Sequence, residues 1–456
     1  MIITNPATGD AIAELADTEP TELPDRLGRA RLAQQEWAEI GIERRLQTVV
    51  RFRHAVSQEI EHLAEVLTGE TGKPIRQARA ELDATLPRID FFLEHATEAL
   101  ADEVVHRDPS SGLEERISHE PLGVVGNISA WNYPWFVGTN VFVPALIAGN
   151  AVLYKPSEFA TLTGAEIARL WTEAGVPEGV FQTLVGGGPL GRALVELGPD
   201  GLFFTGSFAT GRAIAQAYGP HMGRLQLELG GKDPAYVAPD ADVAVAAASL
   251  ADGAFYNNGQ SCCSVERIYV HETLHDAFVE AFVEQVDAMV MGDPTDGSTY
   301  LGPLTRSAQL AVLEAQVADA TARGATLVRG GNALPGPGAW MQPTVFTGVD
   351  HSMALMRDES FGPLIGIQST SGDEQAVELM DDTEFGLTAG VFTPSQERAE
   401  AILSRLDVGS AYWNCCDRVS PRLPWSGRRH SGVGSTLSVS GITAFSRPKG
   451  WHLRAS

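Results

Sequence analysis

Between residues 44 and 67, apolar residues recur near the helical period: Leu46, Val49, Val50, Phe52, Val56, Ile60, Leu63, Val66 and Leu67. That spacing predicts one amphipathic helix. Gly69 and the Gly72-Lys73-Pro74 run close it. The pattern then changes. Residues 104–119 read as a hairpin, with a turn over Asp108-Pro109-Ser110-Ser111-Gly112. From 123 onward, short apolar runs alternate with helical patterns. Strands are expected at 123–128, 150–154, 180–185, 201–205 and 225–229, with a helix at 163–174 ended by Gly175 and Pro177. A second set follows Pro234, with a helix at 241–257, a strand at 265–271 and a helix at 272–290. Strands alternating with helices argue for βαβ units and parallel sheets.

At 456 residues the chain is too long for one core, so two or three domains are expected. The composition is ordinary for a globular protein, with 44% hydrophobic and 20% charged residues. No apolar run is long enough to span a membrane, and the N-terminal stretch lacks the features of a signal peptide. A formal net charge of −25 repels phosphate backbones, which argues against a nucleic-acid partner. Four cysteines, as pairs at 262/263 and 415/416, make no disulfide framework. A reducing, cytoplasmic setting is therefore expected, and neighbouring thiols lack the spacing to share one metal. Lysine occurs only at 73, 155, 232 and 449, so a lysine inside a motif carries more information than usual.

Several stretches could carry chemistry, and each taken alone also reads as ordinary structure. G-G-G-P-L-G at 186–191 has dinucleotide-loop spacing, but Pro189 removes an amide and no acidic residue ends a strand about 20 residues on. F-T-G-S at 204–207 precedes a helix whose free amides could hold an anion. Y-K-P-S-E at 154–158 ends a strand, where Lys155 and Glu158 could hold ribose hydroxyls. Glu228 is flanked by leucines, and a carboxylate there is costly unless paired or functional. Asn132 in W-N-Y-P-W could donate to an oxyanion. Either Cys262 or Cys263 could be a nucleophile, on a loop between a helix and a strand.

Taken together, these motifs resemble the NAD(P)-dependent aldehyde dehydrogenase superfamily over essentially the whole chain. The order is N-P-A-T-G-D at 5–10, W-N-Y-P-W, A-G-N-A-V-L-Y-K-P-S-E at 148–158, F-T-G-S, L-E-L-G-G-K-D-P at 227–234, G-Q-S-C, E-S-F-G-P at 359–363 and P-W-S-G-R-R-H-S-G-V-G at 424–434. Two departures stand out: Ala130 where the family usually has proline, and Ser426 where a glycine pair is usual. The resemblance implies an α/β fold. A Rossmann-type dinucleotide-binding domain (1–102 and 122–228) joins a second α/β catalytic domain (229–430) and a small β oligomerisation arm (103–121 and 446–456).

It also implies the roles. Gly259-Gln260-Ser261-Cys262 matches the family's Gly-Gln-x-Cys, which makes Cys262 the nucleophile and leaves Cys263 pointing away. Glu228 matches the general base, and Asn132 with the Cys262 amide the oxyanion hole. Trp131, Lys155, Glu158, Gly206, Ser207, Leu229, Gly230, Glu359 and Phe361 match cofactor contacts. Tyr133, Val137, Asn140, Ser261, Cys263 and Trp425 are expected around the substrate, and Arg418 and Arg422 are candidates for a substrate carboxylate. The implied reaction oxidises an aldehyde to a carboxylic acid with NAD as acceptor, NADP being the alternative cofactor. Glu158 favours NAD because a carboxylate repels a 2′-phosphate. A homodimer or homotetramer without metal or membrane is expected. The competing readings are a non-catalytic dinucleotide-binding scaffold, which would lack nucleophile, base or oxyanion donor, and a cofactor-independent thiol hydrolase, which would need a histidine near the thiol.

Overall fold

The computed structural model describes residues 1–455; the last residue of the expected 446–456 arm, Ser456, lies outside them. Two parallel sheets carry most of the chain. The first runs in the order Gly432–Val433, Arg224–Glu228, Gly201–Thr205, Val124–Ile128, Ala151–Lys155, Phe181–Thr183. All its strands are parallel except Gly432–Val433, which pairs antiparallel with Leu227 and Glu228. Val124–Ile128 and Ala151–Lys155 are buried throughout. A parallel strand covered on both faces must be apolar all along, which is why these stretches read as continuous runs. The sheet starts at Val124–Ile128 and extends to both sides, so the direction of winding reverses beside that strand. Ligands of such sheets bind at the carboxyl ends next to that reversal.

The second sheet has the order Thr326–Arg329, Thr344–Thr347, Leu364–Thr370, Val265–His271, Asp233–Val237, Thr388–Phe392, Ser410–Trp413. Only Thr326–Arg329 is antiparallel. The expected hairpin forms as Glu103–Asp108 and Leu113–Pro121, and Ser446–Arg454 adds antiparallel to its second strand.

The elements expected from 123 to 290 are present, with ends shifted by no more than three residues. One expectation fails. The helix over 44–67 is two helices, Ile42–Gln58 and Ile60–Thr71. Glu59 leaves the helical region (φ −116°, ψ 16°), and its carboxylate meets Arg169 of the helix Thr161–Glu173. The apolar period continues across the break because both pieces bury the same side, through Phe52, Val56, Leu63 and Leu67.

Candidate active site

Strand Val124–Ile128 ends in the turn holding Trp131, Asn132 and Tyr133, and Pro134 then opens the helix Pro134–Ile147. Proline suits a first helical position, whose amide has no partner within the helix. Asn132 is buried and held from three sides. Its carbonyl accepts from Lys73 Nζ at 2.6 Å and from Asn257 Nδ2 at 3.3 Å, and its own Nδ2 donates to Gln260 O at 3.1 Å. One hydrogen of that amide remains to donate elsewhere. Lys73 is ion-paired to Glu81, both fully buried, and Glu81 Oε1 accepts from the Trp135 amide at 3.0 Å. Burial pushes the Lys73 ammonium down and the Glu81 carboxyl up, each opposed by the other's charge. The Lys73 ammonium also sits 3.9 Å from the centre of the Tyr133 ring.

The cysteine loop follows helix Val243–Phe255. Asn257, Asn258 and Gly259 have φ of 52°, 56° and 68°. Asparagine tolerates that left-handed region better than most residues. At Gly259 a Cβ would overlap Gly362 O, so only glycine fits. Asn258 Nδ2 donates to Gly302 O and Pro303 O, and Gln260 Oε1 accepts from the Thr305 amide. The loop is thereby fixed to chain far from it in sequence. It leaves Cys262 half-buried and Cys263 buried. Cys263 donates to Asp417 Oδ1 at 2.9 Å, 3.4 Å from Ser261 Oγ. Hydrogen bonding to Cys262, burial and the Asp417 charge push the Cys263 thiol well up.

Glu228 ends its strand beside this loop, and a Cβ on Gly231 would stand 2.8 Å from Cys262 O. Burial raises the Glu228 carboxyl to about 7, against a hydrogen bond from Thr436 Oγ1 and the charge of Arg88. Thr436 is held by an antiparallel bridge to Trp425, which is itself buried.

The residues expected at the cofactor lie along the carboxyl edge of the first sheet. Lys155 is buried, and among the described residues its ammonium makes one hydrogen bond, to Pro156 O at 3.2 Å; the exposed Glu158 carboxylate stands 3.8 Å away. Burial lowers the Lys155 ammonium. Ser207 caps the helix Phe208–Tyr218, accepting from the Thr210 amide at 3.4 Å. A Cβ on Gly206 would overlap the Phe204 ring, and one on Gly211 the Leu229 side chain. Across the crevice, Gly230 lies under the Glu359 carboxylate, which accepts from the Gly231 amide at 3.3 Å. Burial, then the neighbouring Glu266, raises Glu359 to about 8. Phe361 adopts φ 45°, held because Glu266 accepts the amides of Ser360 (2.8 Å) and Phe361 (3.0 Å) while pairing with Lys232. The Trp131 and Phe361 rings meet edge to face at 5.6 Å. The G-G-G-P-L-G stretch opens helix Gly188–Leu197, and the place of a Cβ on Gly191 is 3.6 Å from the Lys155 stem.

A dinucleotide fits these groups. Lys155 has donors to spare, Ser129 Oγ is buried without a partner among the described residues, and a capped helix N-terminus opens on small residues. The structure ties Asn132 to the cysteine loop and sets the Glu228 strand end beside it, places Trp131, Lys155 and Ser207 just past or at the carboxyl ends of first-sheet strands, and brings Glu359 to Gly230 and Phe361 to Trp131. Tyr133 and Val137 are half-buried beside it, and Asn140 is buried. Arg418 and Arg422 are exposed, so neither forms part of the buried wall. Lys73, Glu81, Arg88, Asn257, Glu266 and Thr436 were not read from the sequence. The scarcity of lysine pointed towards Lys73, but its place after a helix suggested punctuation instead.

The sequence profile of the aldehyde dehydrogenase family matches residues 1–450. A betaine aldehyde dehydrogenase of Agrobacterium fabrum is 34% identical over 450 residues, covering 97% of this chain and 90% of its own. A succinate-semialdehyde dehydrogenase [NADP(+)] of Deinococcus radiodurans is 34% identical over 446 residues, covering 98% and 93%. The solved structure of an indole-3-acetaldehyde dehydrogenase complexed with NAD+ superposes with a TM-score of 0.95 at 30% identity, covering 100% of this chain and 93% of that one. The chain belongs to the aldehyde dehydrogenase family: it is an NAD(P)-dependent oxidoreductase that converts an aldehyde to a carboxylic acid.

Proposed function

We propose that Cys262 is the nucleophile, Asn132 the oxyanion donor and Glu228 the base of this oxidation. The observation that carries the reading is the half-buried Cys262, seated between an amide already locked onto its own loop and the strand end bearing a buried carboxylate. The Cys262 thiolate adds to the aldehyde carbon, and the free hydrogen of Asn132 Nδ2, with the Cys262 amide, stabilises the charge on oxygen. A dinucleotide held beside Trp131, Glu359 and Phe361 would supply the hydride acceptor. Glu228 then takes a proton from water as that water attacks the acyl carbon on Cys262. Cys263, committed to Asp417, stays a neutral thiol beside it. Trp131, Lys155, Glu158, Gly206, Ser207, Leu229, Gly230, Glu359 and Phe361 hold the dinucleotide. Tyr133, Val137, Asn140, Ser261, Cys263 and Trp425 wall the substrate space.

The two sheets support a boundary near 228/229, with strand Gly432–Val433 returning to the first sheet after the catalytic domain. Val104 and Val105, exposed on the outer strand of the arm, support self-association as a dimer or tetramer. Four free cysteines, and no helix long and apolar enough to cross a membrane among the described residues, support a cytoplasmic setting. The test is absorbance of reduced nicotinamide after mixing protein and NAD with aliphatic, aromatic, amino- and carboxy-substituted aldehydes. Turnover of any class supports the reading. Silence with NAD bound would favour the scaffold instead.

A further inference from the structure

Arg88 lies inside the long helix Ile75–Ala99 and is 4% exposed. Its Nη1 donates to Asn140 Oδ1 at 3.1 Å, and its guanidinium stands 4.0 Å from the centre of the Phe136 ring. Phe136 in turn stacks on Tyr133 at 5.7 Å. The guanidinium therefore faces the helix that begins at the Asn132 turn, on the side carrying Tyr133, Phe136 and Asn140.

Among the described residues, no carboxylate lies within ion-pair distance of Arg88, and the bond to Asn140 is the one hydrogen bond its guanidinium makes. The other enclosed arginines give their Nε to backbone carbonyls, Arg45 to Ile147 O at 2.8 Å and Arg267 to Lys232 O at 2.9 Å, and two arginines nearer the surface offer their Nε–Nη2 edge to a carboxylate. Arg53 holds Asp90 that way at 2.8 and 2.9 Å, and Arg398 holds Asp373 at 2.7 and 3.0 Å. Those two arginines are far more exposed than Arg88. A buried charge without a counter-ion is the expensive case, and in Arg88 the matching edge is left without a protein acceptor. Burial lowers its pKa only to about 10, so it stays cationic near neutrality. Its charge acts first with Glu81, then with Glu228, Cys263 and Asp417.

We propose that Arg88 determines specificity by receiving, on its Nε–Nη2 edge, the carboxylate of an aldehyde that carries one at its far end. The inference rests on the oxidation reading above and names its substrate class. Two parallel N–H groups match the two oxygens of a carboxylate. A carboxylate brings one negative charge where a phosphate brings nearly two, so the Glu228 and Asp417 carboxyls that share the field of Arg88 oppose it less. Asn140 stands six residues beyond Pro134, about 9 Å along the helix axis, so the anchor serves the remote end of a substrate. Arg418 and Arg422, exposed, cannot offer a desolvated partner of this kind.

The test compares short ω-carboxylated aldehydes with their methyl esters and with a phosphorylated aldehyde, in the wild type and in Arg88→Met. The reading is the ratio of kcat/KM between partners, which does not depend on how much protein is folded. The wild type is expected to prefer the carboxylated partner by about tenfold or more, and Arg88→Met to bring that ratio near one. Equal use of acid and ester by the wild type, preference for the phosphorylated aldehyde, or an unchanged ratio in Arg88→Met would each overturn the assignment while leaving the oxidation reading intact. No turnover of any aldehyde with NAD bound would overturn the oxidation reading itself. If Arg88→Met fails to fold, the wild type still decides through inhibition. Dicarboxylates should compete with the aldehyde better than monocarboxylates of equal length, and equal inhibition would count against Arg88.

Discussion

Lys73 and Lys155 are both almost fully enclosed, at 2% and 3% exposure, yet their ammonium groups have opposite surroundings. Lys73 ends between the Glu81 carboxylate and the Asn132 carbonyl. Among the described residues, Lys155 reaches one carbonyl at 3.2 Å and no carboxylate nearer than 3.8 Å. The difference runs through the whole cleft. Around Cys262 the groups that fix the loop and the Asn132 turn are tied to protein partners, through Lys73, Glu81, Asn257, Gln260 and Thr305. Along the dinucleotide crevice, donors are left for something else to complete. A site that must stabilise charge as it develops gains from groups fixed beforehand. A site that must bind and release a dinucleotide gains from donors whose partner is the ligand.

The largest effect should come from removing the reacting atom. Cys262→Ala is expected to lower turnover on the order of 10^4-fold or more, while NAD titration still shows binding, because the two sides of the cleft are held separately. Cys263→Ala should keep most activity. If Cys263→Ala were the dead variant, the assignment of roles to the two neighbours would be reversed.

Glu228→Gln should cost about 10²- to 10⁴-fold in turnover. Its wild-type pH profile carries a specific sign. The base acts deprotonated and its carboxyl is raised to about 7, so the rate should climb roughly tenfold per pH unit below 7 and level off above it. Stability moves the other way. A carboxyl whose folded pKa lies above its unfolded one is favoured protonated, so its contribution falls as pH rises from about 4.5 through 7. Glu228→Gln should therefore be less active yet more stable at pH 8. A variant less stable there, by denaturant unfolding, would show that the carboxylate is structural.

How much of this was legible follows the same division. The proposed dinucleotide side is written locally: Lys155 with Glu158, Gly206 with Ser207 and Glu359 with Phe361 are each near neighbours in sequence, so a motif can carry them. The proposed nucleophile also lies in a local motif, Gly259-Gln260-Ser261-Cys262, although only the resemblance chooses it over Cys263. What fixes that loop is not local. Lys73 reaches Asn132 across 59 positions, and Glu266 reaches Ser360 across 94. Arg88 sits in mid-helix, where a charge reads as a solvated face, and only packing shows it enclosed. The break at Glu59 was hidden for the complementary reason: the apolar period is correct on both sides of it.

The contrast between the lysines can be tested directly. Lys73→Met leaves Glu81 buried without its partner and should destabilise by about 3–5 kcal/mol in denaturant unfolding. Adding Glu81→Leu should return much of that, because the orphaned charge is gone. Lys155→Met removes a buried charge with little to hold it, so stability should change by less than about 1 kcal/mol while dinucleotide affinity falls. Equal losses of stability from the two methionine variants would erase the distinction.

Glu158→Gln should have the smallest effect and bears only on which dinucleotide is taken. Its carboxylate is exposed and 3.8 Å from Lys155, which leaves it free to accept a ribose hydroxyl and to repel a phosphate at the same place. Solvent screens a charge at such a position, so the repulsion is worth little more than a surface pair. The amide keeps the shape and removes the charge. The ratio of kcat/KM for NADP to that for NAD should rise by about tenfold or less, through KM for NADP, with kcat little changed. A wild type that already prefers NADP would mean that the 2′-phosphate sits away from Glu158, and that Lys155, with its spare donors, holds it instead.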